Sequence, residues 1–303
     1  MRFSIWPNPA RPVTEFLELA RFADQHGWYG MWFADHYMPN TPDDTTIGGD
    51  THEAWAILPA LIAVTERIRV GPLVSPTTIH HPALLANRAA SLDHLSGGRF
   101  VLGLGAGWQT NEHRAYGIDL LEPRVRVDRF AESLSIITSL LSEDRTSFSG
   151  THFEIVDAPC EPKPIQSPLP IVVGTGGKRM LRLLARHAHE WNSWGTPDTV
   201  AAVATHLEHA CEAEGRPRTD LWTSAQALFC LSDDTDEIGR LQGLLPADRS
   251  IVGPVDHIID EIGRYRELGV DEIIVPDFTL GAEFAERLDN YHRFSSEIMS
   301  AFA

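Results

Sequence analysis

Two features of the sequence predict an α/β barrel of eight βα units, and a third argues against its main competitor. Short apolar runs alternate with helix-like stretches along the chain, the order that yields a parallel sheet flanked by helices. Segments near the two ends also match in register. His26–Asp35 and Leu268–Asp277 each carry a helix end, a glycine, an apolar strand and an Asp eight residues after the glycine, as a repeated unit would. An open, doubly wound sheet is the alternative. Against it, the first strand runs into Pro7 and Pro9 instead of a dinucleotide-type glycine fingerprint. The chain has 303 residues, 43% of them apolar, enough for one such barrel, which runs to about 250 residues or more. We read it as a single domain, 1–303.

The elements follow in order. Phe3–Trp6 is the first strand, stopped by proline. A helix runs from about Thr14 to Gln25, with Phe16, Leu17, Ala20 and Ala23 on one face and Gly27 as its stop. Tyr29–Ala34 is a buried strand ending in Asp35-His36, and Tyr37–Asp50 is a long loop of the kind that is often functional. Glu53–Thr65 is helical, Ile68–Val74 a strand, and Pro82–His94 a helix ended by Gly97-Gly98. Phe100–Leu104 is the fourth strand, running straight into Gly105-Ala106-Gly107 and then Trp108, Gln109, Thr110, Asn111 and Glu112. The helix Arg124–Leu141 and a proline-rich excursion, Asp157–Pro170, separate it from the fifth strand, Ile171–Val173. Gly174-Thr175-Gly176-Gly177 then leads into a helix from Lys178 to about Ala188. Strands at Glu190–Trp194, Ala225–Leu231 and Glu272–Val275, with helices at Pro197–Glu214, Asp256–Leu268 and Glu283–Met299, complete the alternation.

A formal net charge of −17 argues against nucleic acid or an anionic membrane as partner, because both need a basic footprint. Cys160, Cys211 and Cys230 are too few and too scattered for a disulfide framework or a zinc site. No apolar run approaches membrane-spanning length and the N-terminus offers no signal-peptide pattern. These features point to a soluble, cytoplasmic protein acting on a small molecule.

In a barrel, the residues available for chemistry sit at the C-terminal ends of the strands. His36 is the candidate acid/base, since imidazole titrates near neutrality; the alternative is a polar strand end capping the next loop. Gly105–Gly107 forms a bare turn that lets a flat ring or a phosphate approach the main chain; the alternative is a tight strand-to-helix corner. Gly174–Gly177 with Lys178 and Arg179, between a strand and a helix, suits a phosphate; it too reads otherwise as an ordinary corner. His80-His81 lacks a matching carboxylate cluster, so no metal is expected. Trp6, Trp32, Trp191 and Trp194 put large flat surfaces on or beside strands.

The segments MRFSIWPNP, WFADHYMPN, THEAW, the block from Arg69 to Gly117, IVVGTGGKRM and VDEIIVPDF together resemble the luciferase-like monooxygenase superfamily, and within it the branch assigned to the deazaflavin coenzyme F420. The resemblance implies a TIM barrel with an insertion between strands 4 and 5, usually a homodimer, holding F420 or alternatively FMN at the C-terminal face. It implies an oxidoreductase passing hydride between F420 and a small organic substrate, or alternatively an FMN-dependent monooxygenase served by a separate reductase. It places His36 beside the reactive ring and a non-prolyl cis bulge at Leu73–Val74 against the back of the ring. The cofactor-binding set it implies is Asp35, Leu73, Val74, Ser75, Gly105, Ala106, Gly107, Asn111, Gly174, Thr175, Gly176, Gly177, Lys178 and Trp194. Trp6, Trp108 and Glu112 would line the substrate pocket, with Trp194 adding to its apolar wall, and Tyr37–Asp50 would serve as a lid. One departure stands out: related sugar-phosphate dehydrogenases carry a carboxylate where this chain has Trp108, and Glu112 replaces it only if the backbone folds back.

Overall fold

The computed structural model describes residues 1–41 and 45–302. Its main sheet is parallel throughout, and its strand order shows the barrel directly. Arg2–Trp6 lies between Gly30–Phe33 and Glu272–Pro276, so the first and last strands are neighbours, paired from Arg2 with Glu272 to Trp6 with Pro276. From the last strand the order continues through Trp222–Gln226, Glu190–Trp194, Ile171–Gly174 and Leu102–Gly105. The third strand comes in two pieces, Arg69–Pro72 and Ser75–Pro76, split by a cis peptide between Leu73 and Val74. The first piece pairs with the second strand, the other with the fourth, and a bridge from Val70 to Phe100 completes the circle. The cis bond falls where the family resemblance puts it.

Local sequence explains these elements. The helix Val13–Gln25 buries Phe16, Leu19, Ala20, Phe22 and Ala23, an i, i+3, i+4 stripe facing the sheet. The matched glycines, Gly27 and Gly269, both have left-handed backbone at φ +79° and +75°, which glycine adopts without strain. Each reverses the chain from a helix into a strand flanking the first strand, so the repeat seen in the sequence is a repeat of structure. The base of the barrel is plugged by Arg69, whose guanidinium meets the carboxylates of Glu190 and Glu272. Trp32 and Trp222 donate their indole N–H groups to Glu272 as well, at 2.8 and 3.1 Å. Burial holds the Glu190 carboxyl above the usual carboxylate range. Above the plug, Trp32, Leu73, Val101, Val172 and Ile274 fill the interior.

Three features differ from the sequence reading. Ala225–Leu231 is not one strand: Trp222–Gln226 belongs to the barrel, whereas Leu228–Leu231 leaves it to pair with Ser250–Gly253. An unbroken apolar run carries no mark of such a switch between sheets. The insertion between the fourth and fifth strands contains helices Thr110–Tyr116 and Pro123–Ser142 and an antiparallel hairpin, Thr146–Ser149 with Glu154–Ala158. Thr146 and Ile155 are buried while Ser147, Glu154 and Val156 are exposed, but strands of four and five residues give an alternation too short to flag them. The final helix is α-helical only over Phe284–Arg293, then widens and tightens to Phe302.

Candidate active site

His36, Gly107 and Gly176 all follow C-terminal strand ends and so share one mouth of the barrel. His36 Nδ1 lies 2.9 Å from Glu112 Oε1, and the other carboxylate oxygen accepts the Tyr37 backbone N–H at 2.7 Å. Glu112 is 1% exposed. It is therefore not a wall of the substrate pocket, as expected, but the group that holds His36. The backbone does fold back: the short helix Thr110–Tyr116 crosses the mouth and returns Glu112 to the end of the second strand. A carboxylate on Nδ1 fixes the proton there and leaves Nε2 as the acceptor nitrogen. Trp108 meets the imidazole edge-on, with centroids 5.4 Å apart.

The neighbours of Glu112 fasten the loop after the second strand. Both donors of the Asn111 amide are taken, by the carbonyls of Pro39 (3.0 Å) and Thr46 (2.9 Å), and its oxygen accepts from Gln109 Nε2 and the Glu112 N–H. Asn111, expected at the cofactor, is thus a staple with no polar atom left for a ligand. Gln109 also donates to the Met38 carbonyl at 2.8 Å. The central part of the proposed lid, Pro42–Asp44, lies outside the described residues.

Asp35, likewise expected at the cofactor, is fully buried. One of its oxygens takes hydrogen bonds from Ser75, Trp55 and His80. Burial raises its carboxyl, but the contact with His80 and the bonds from Ser75 and Trp55 outweigh this and leave it below the usual range. Asp35 and the buried Ser75 therefore lock the ends of the second and third strands together, and no local pattern marks His80 or Trp55 as their partners. Asp277, the matched residue of the other repeat, does the equivalent work: it accepts from the Asn8 N–H at 2.8 Å and lies 3.6 Å from both Arg11 and Arg287. Among the described residues no group of three or more His, Cys, Asp or Glu could hold a metal ion.

Val74, half-buried, faces the mouth, and the strand-four turn is bare because of it. A Cβ on Gly105 would come within 2.7 Å of the Val74 side chain, and one on Gly107 within 2.3 Å of Thr78 Oγ1. Leu73 points down into the barrel interior. Ala106 is partly exposed, and Arg126 donates to the Gly107 carbonyl at 2.9 Å.

The strand-five corner is built differently. Thr175 is anchored, its N–H to the Asn192 carbonyl (3.2 Å), its own carbonyl to the Trp191 indole (2.9 Å) and its hydroxyl to the Gly177 N–H (3.1 Å). Beyond it Gly176, Gly177, Lys178 and Arg179 are exposed. A Cβ on Gly176 or Gly177 would meet nothing closer than 3.6 Å. The helix Lys178–His187 begins with no side-chain cap and no acidic residue in its first turn, which leaves the N–H groups of that turn facing outwards. A Cβ on Gly174, at the start of the corner, would meet Val74 at 3.4 Å, an ordinary contact distance. Trp191 is fully buried core. Trp6 and Trp194 pack edge-to-face at 5.1 Å, and Phe278, which the sequence reading did not single out, joins them 5.3 Å from Trp6.

A family model described as luciferase-like monooxygenase matches residues 1–242. The chain belongs to that family. Among its luciferase-like relatives is an F420-dependent glucose-6-phosphate dehydrogenase of Microbacterium testaceum, 27% identical over 300 residues, 87% of each chain. Another relative of that description, from Amycolatopsis mediterranei, is 33% identical over 175 residues; the match spans 57% of this chain but only half of that protein. The fold is that of the coenzyme F420-dependent tetrahydromethanopterin reductase from Methanopyrus kandleri, superposing with a TM-score of 0.82 at 19% identity over 100% of this chain and 99% of that one.

Proposed function

We propose that this luciferase-like protein is an F420-dependent oxidoreductase in which His36 moves the proton that accompanies hydride transfer. The observation that carries the reading is one buttressed imidazole facing the same barrel mouth as an open, uncapped helix N-terminus. The F420-dependent relatives support the choice of cofactor. The residues fit a phosphorylated ring system: nothing in the chain requires Gly176 and Gly177 to lack side chains, whereas a phosphate against the first-turn N–H groups does. Lys178 and Arg179 would add charge there, and Val74 with the Gly105–Gly107 turn would form a smooth floor for the ring. When bound, the deazaflavin supplies or accepts the hydride.

The chain's own part is proton transfer and exclusion of water. Glu112 keeps Nδ1 protonated, so His36 gives or takes its proton at Nε2. As the imidazole gains charge, the buried carboxylate 2.9 Å away stabilises it. Trp108 covers one edge of the ring and Trp6 with Trp194 closes the opposite wall.

Titration of the protein with F420 and with FMN, followed by fluorescence quenching, tests the cofactor; tight FMN binding without F420 binding refutes the reading. A His36→Ala variant is expected to keep its F420 affinity and to lose about 10²- to 10⁴-fold in turnover.

A further inference from the structure

We infer that the substrate is an uncharged, hydrophobic, ring-bearing carbonyl compound, or the alcohol with which it interconverts, and not a phosphorylated sugar; this rests on the cofactor reading above. The large aromatic side chains exposed among the described residues are Trp108, Tyr116 and Phe278. All three leave the barrel at the mouth, after the fourth and eighth strands. Phe278, 39% exposed, continues the wall of Trp6 and Trp194, lying nearly parallel to Trp194 at 6.5 Å. Trp108, 52% exposed, stands on the other side against His36. Exposed aromatic surface gathered around a concave opening is the surface of an apolar ligand.

Charge is partitioned in the same sense. The cations behind the aromatic wall, Arg11 and Arg287, both flank the buried Asp277, and Arg287 also pairs with Glu15. Glu112, Asp35 and Asp277 add only buried carboxylates to this half of the mouth. A sugar phosphate seated here would lose hydration from its dianion without a cation in return, which is strongly unfavourable. Among the described residues, Arg114 is turned to the Thr45 carbonyl and Arg129 to the Thr77 carbonyl, while Arg126 and Lys178 belong to the strand-four and strand-five corners, where the cofactor phosphate is proposed. Apart from the phenol of Tyr116, the polar group that this side of the mouth offers is His36, so the substrate needs one polar atom opposite Nε2 and apolar surface elsewhere. An oxygen meets that need. In the oxidising direction the hydroxyl proton would pass to His36 Nε2 as C–O became C=O, with a bound oxidised deazaflavin supplying the acceptor for the carbinol hydride; the reverse would return both.

The probes are 1-indanone and glucose 6-phosphate, titrated calorimetrically into the wild-type protein with and without F420. The expected result is binding of 1-indanone and none of glucose 6-phosphate at tenfold higher concentration. Trp108→Ala and Phe278→Ala are each expected to weaken 1-indanone by about tenfold, with F420 affinity unchanged within twofold. Glucose 6-phosphate binding as well as 1-indanone, or variants that leave 1-indanone binding intact, overturns the inference. Failure of F420 to bind overturns the cofactor reading instead, and the cofactor-free titrations still decide the substrate class.

Discussion

The strand-four and strand-five corners look alike in sequence, each a buried strand running into glycines and then a helix, yet they are bare for opposite reasons. At strand four the chain itself occupies the space: Val74 lies against Gly105 and Thr78 against Gly107. That corner is also wired to its surroundings through Gln109, Asn111 and Glu112. At strand five only Thr175 is tied down, and the glycines after it border solvent. A glycine held by its own neighbours tells of packing; one with room to spare points to a visitor. The two were indistinguishable as motifs, and the coordinates of their neighbours separate them.

The largest effect that would sharpen this contrast comes from the wired corner. Glu112→Ala should lower kcat by about 10²-fold through loss of His36 orientation, while F420 affinity measured by quenching stays within twofold. A matched loss of affinity would mean that the carboxylate serves the cofactor directly. Next in size is Gly107→Ala, which places a Cβ 2.3 Å from Thr78 Oγ1 on a backbone at φ +84°; it should cost about 2–3 kcal/mol in urea unfolding. The companion Gly176→Ala should leave stability within about 0.5 kcal/mol and weaken F420 binding several-fold. Equal destabilisation by both alanines would erase the distinction. A smaller effect is expected from salt: F420 affinity should fall as ionic strength rises, and less steeply in Lys178→Ala, because that corner is exposed and screened.

The smallest effect concerns Asp35, whose carboxyl is held below the usual range. The unfolded chain protonates it first on acidification, so its contribution is complete above about pH 4 and lost as pH falls through the lowered value. Urea midpoints measured across that window should fall less steeply in Asp35→Asn than in the wild type.

The barrel was legible because alternation and the Gly-to-Asp repeat are local signals, and strand-end position alone picked out His36. What escaped was whatever depends on a chain segment turning back on itself. Glu112 was named, but its helix had to cross the mouth before its partner became visible. The family resemblance puts Asn111 at the cofactor, whereas both its donors turn to the carbonyls of Pro39 and Thr46. Phe278 sits one residue beyond the Asp that closes the repeat, and no periodicity marks it. The split of Ala225–Leu231 between two sheets was equally invisible, since hydrophobicity does not say which sheet a residue joins.

The meeting of Trp6 with Phe278 joins the first strand to the segment that follows the eighth. During synthesis the aromatic wall stays unfinished until the eighth strand emerges, although His36 and Glu112 are available much earlier. A product ending before residue 278 would hold the His36–Glu112 pair beside a flank left open where Phe278 meets Trp6. The aromatic wall in this chain therefore waits on the eighth strand.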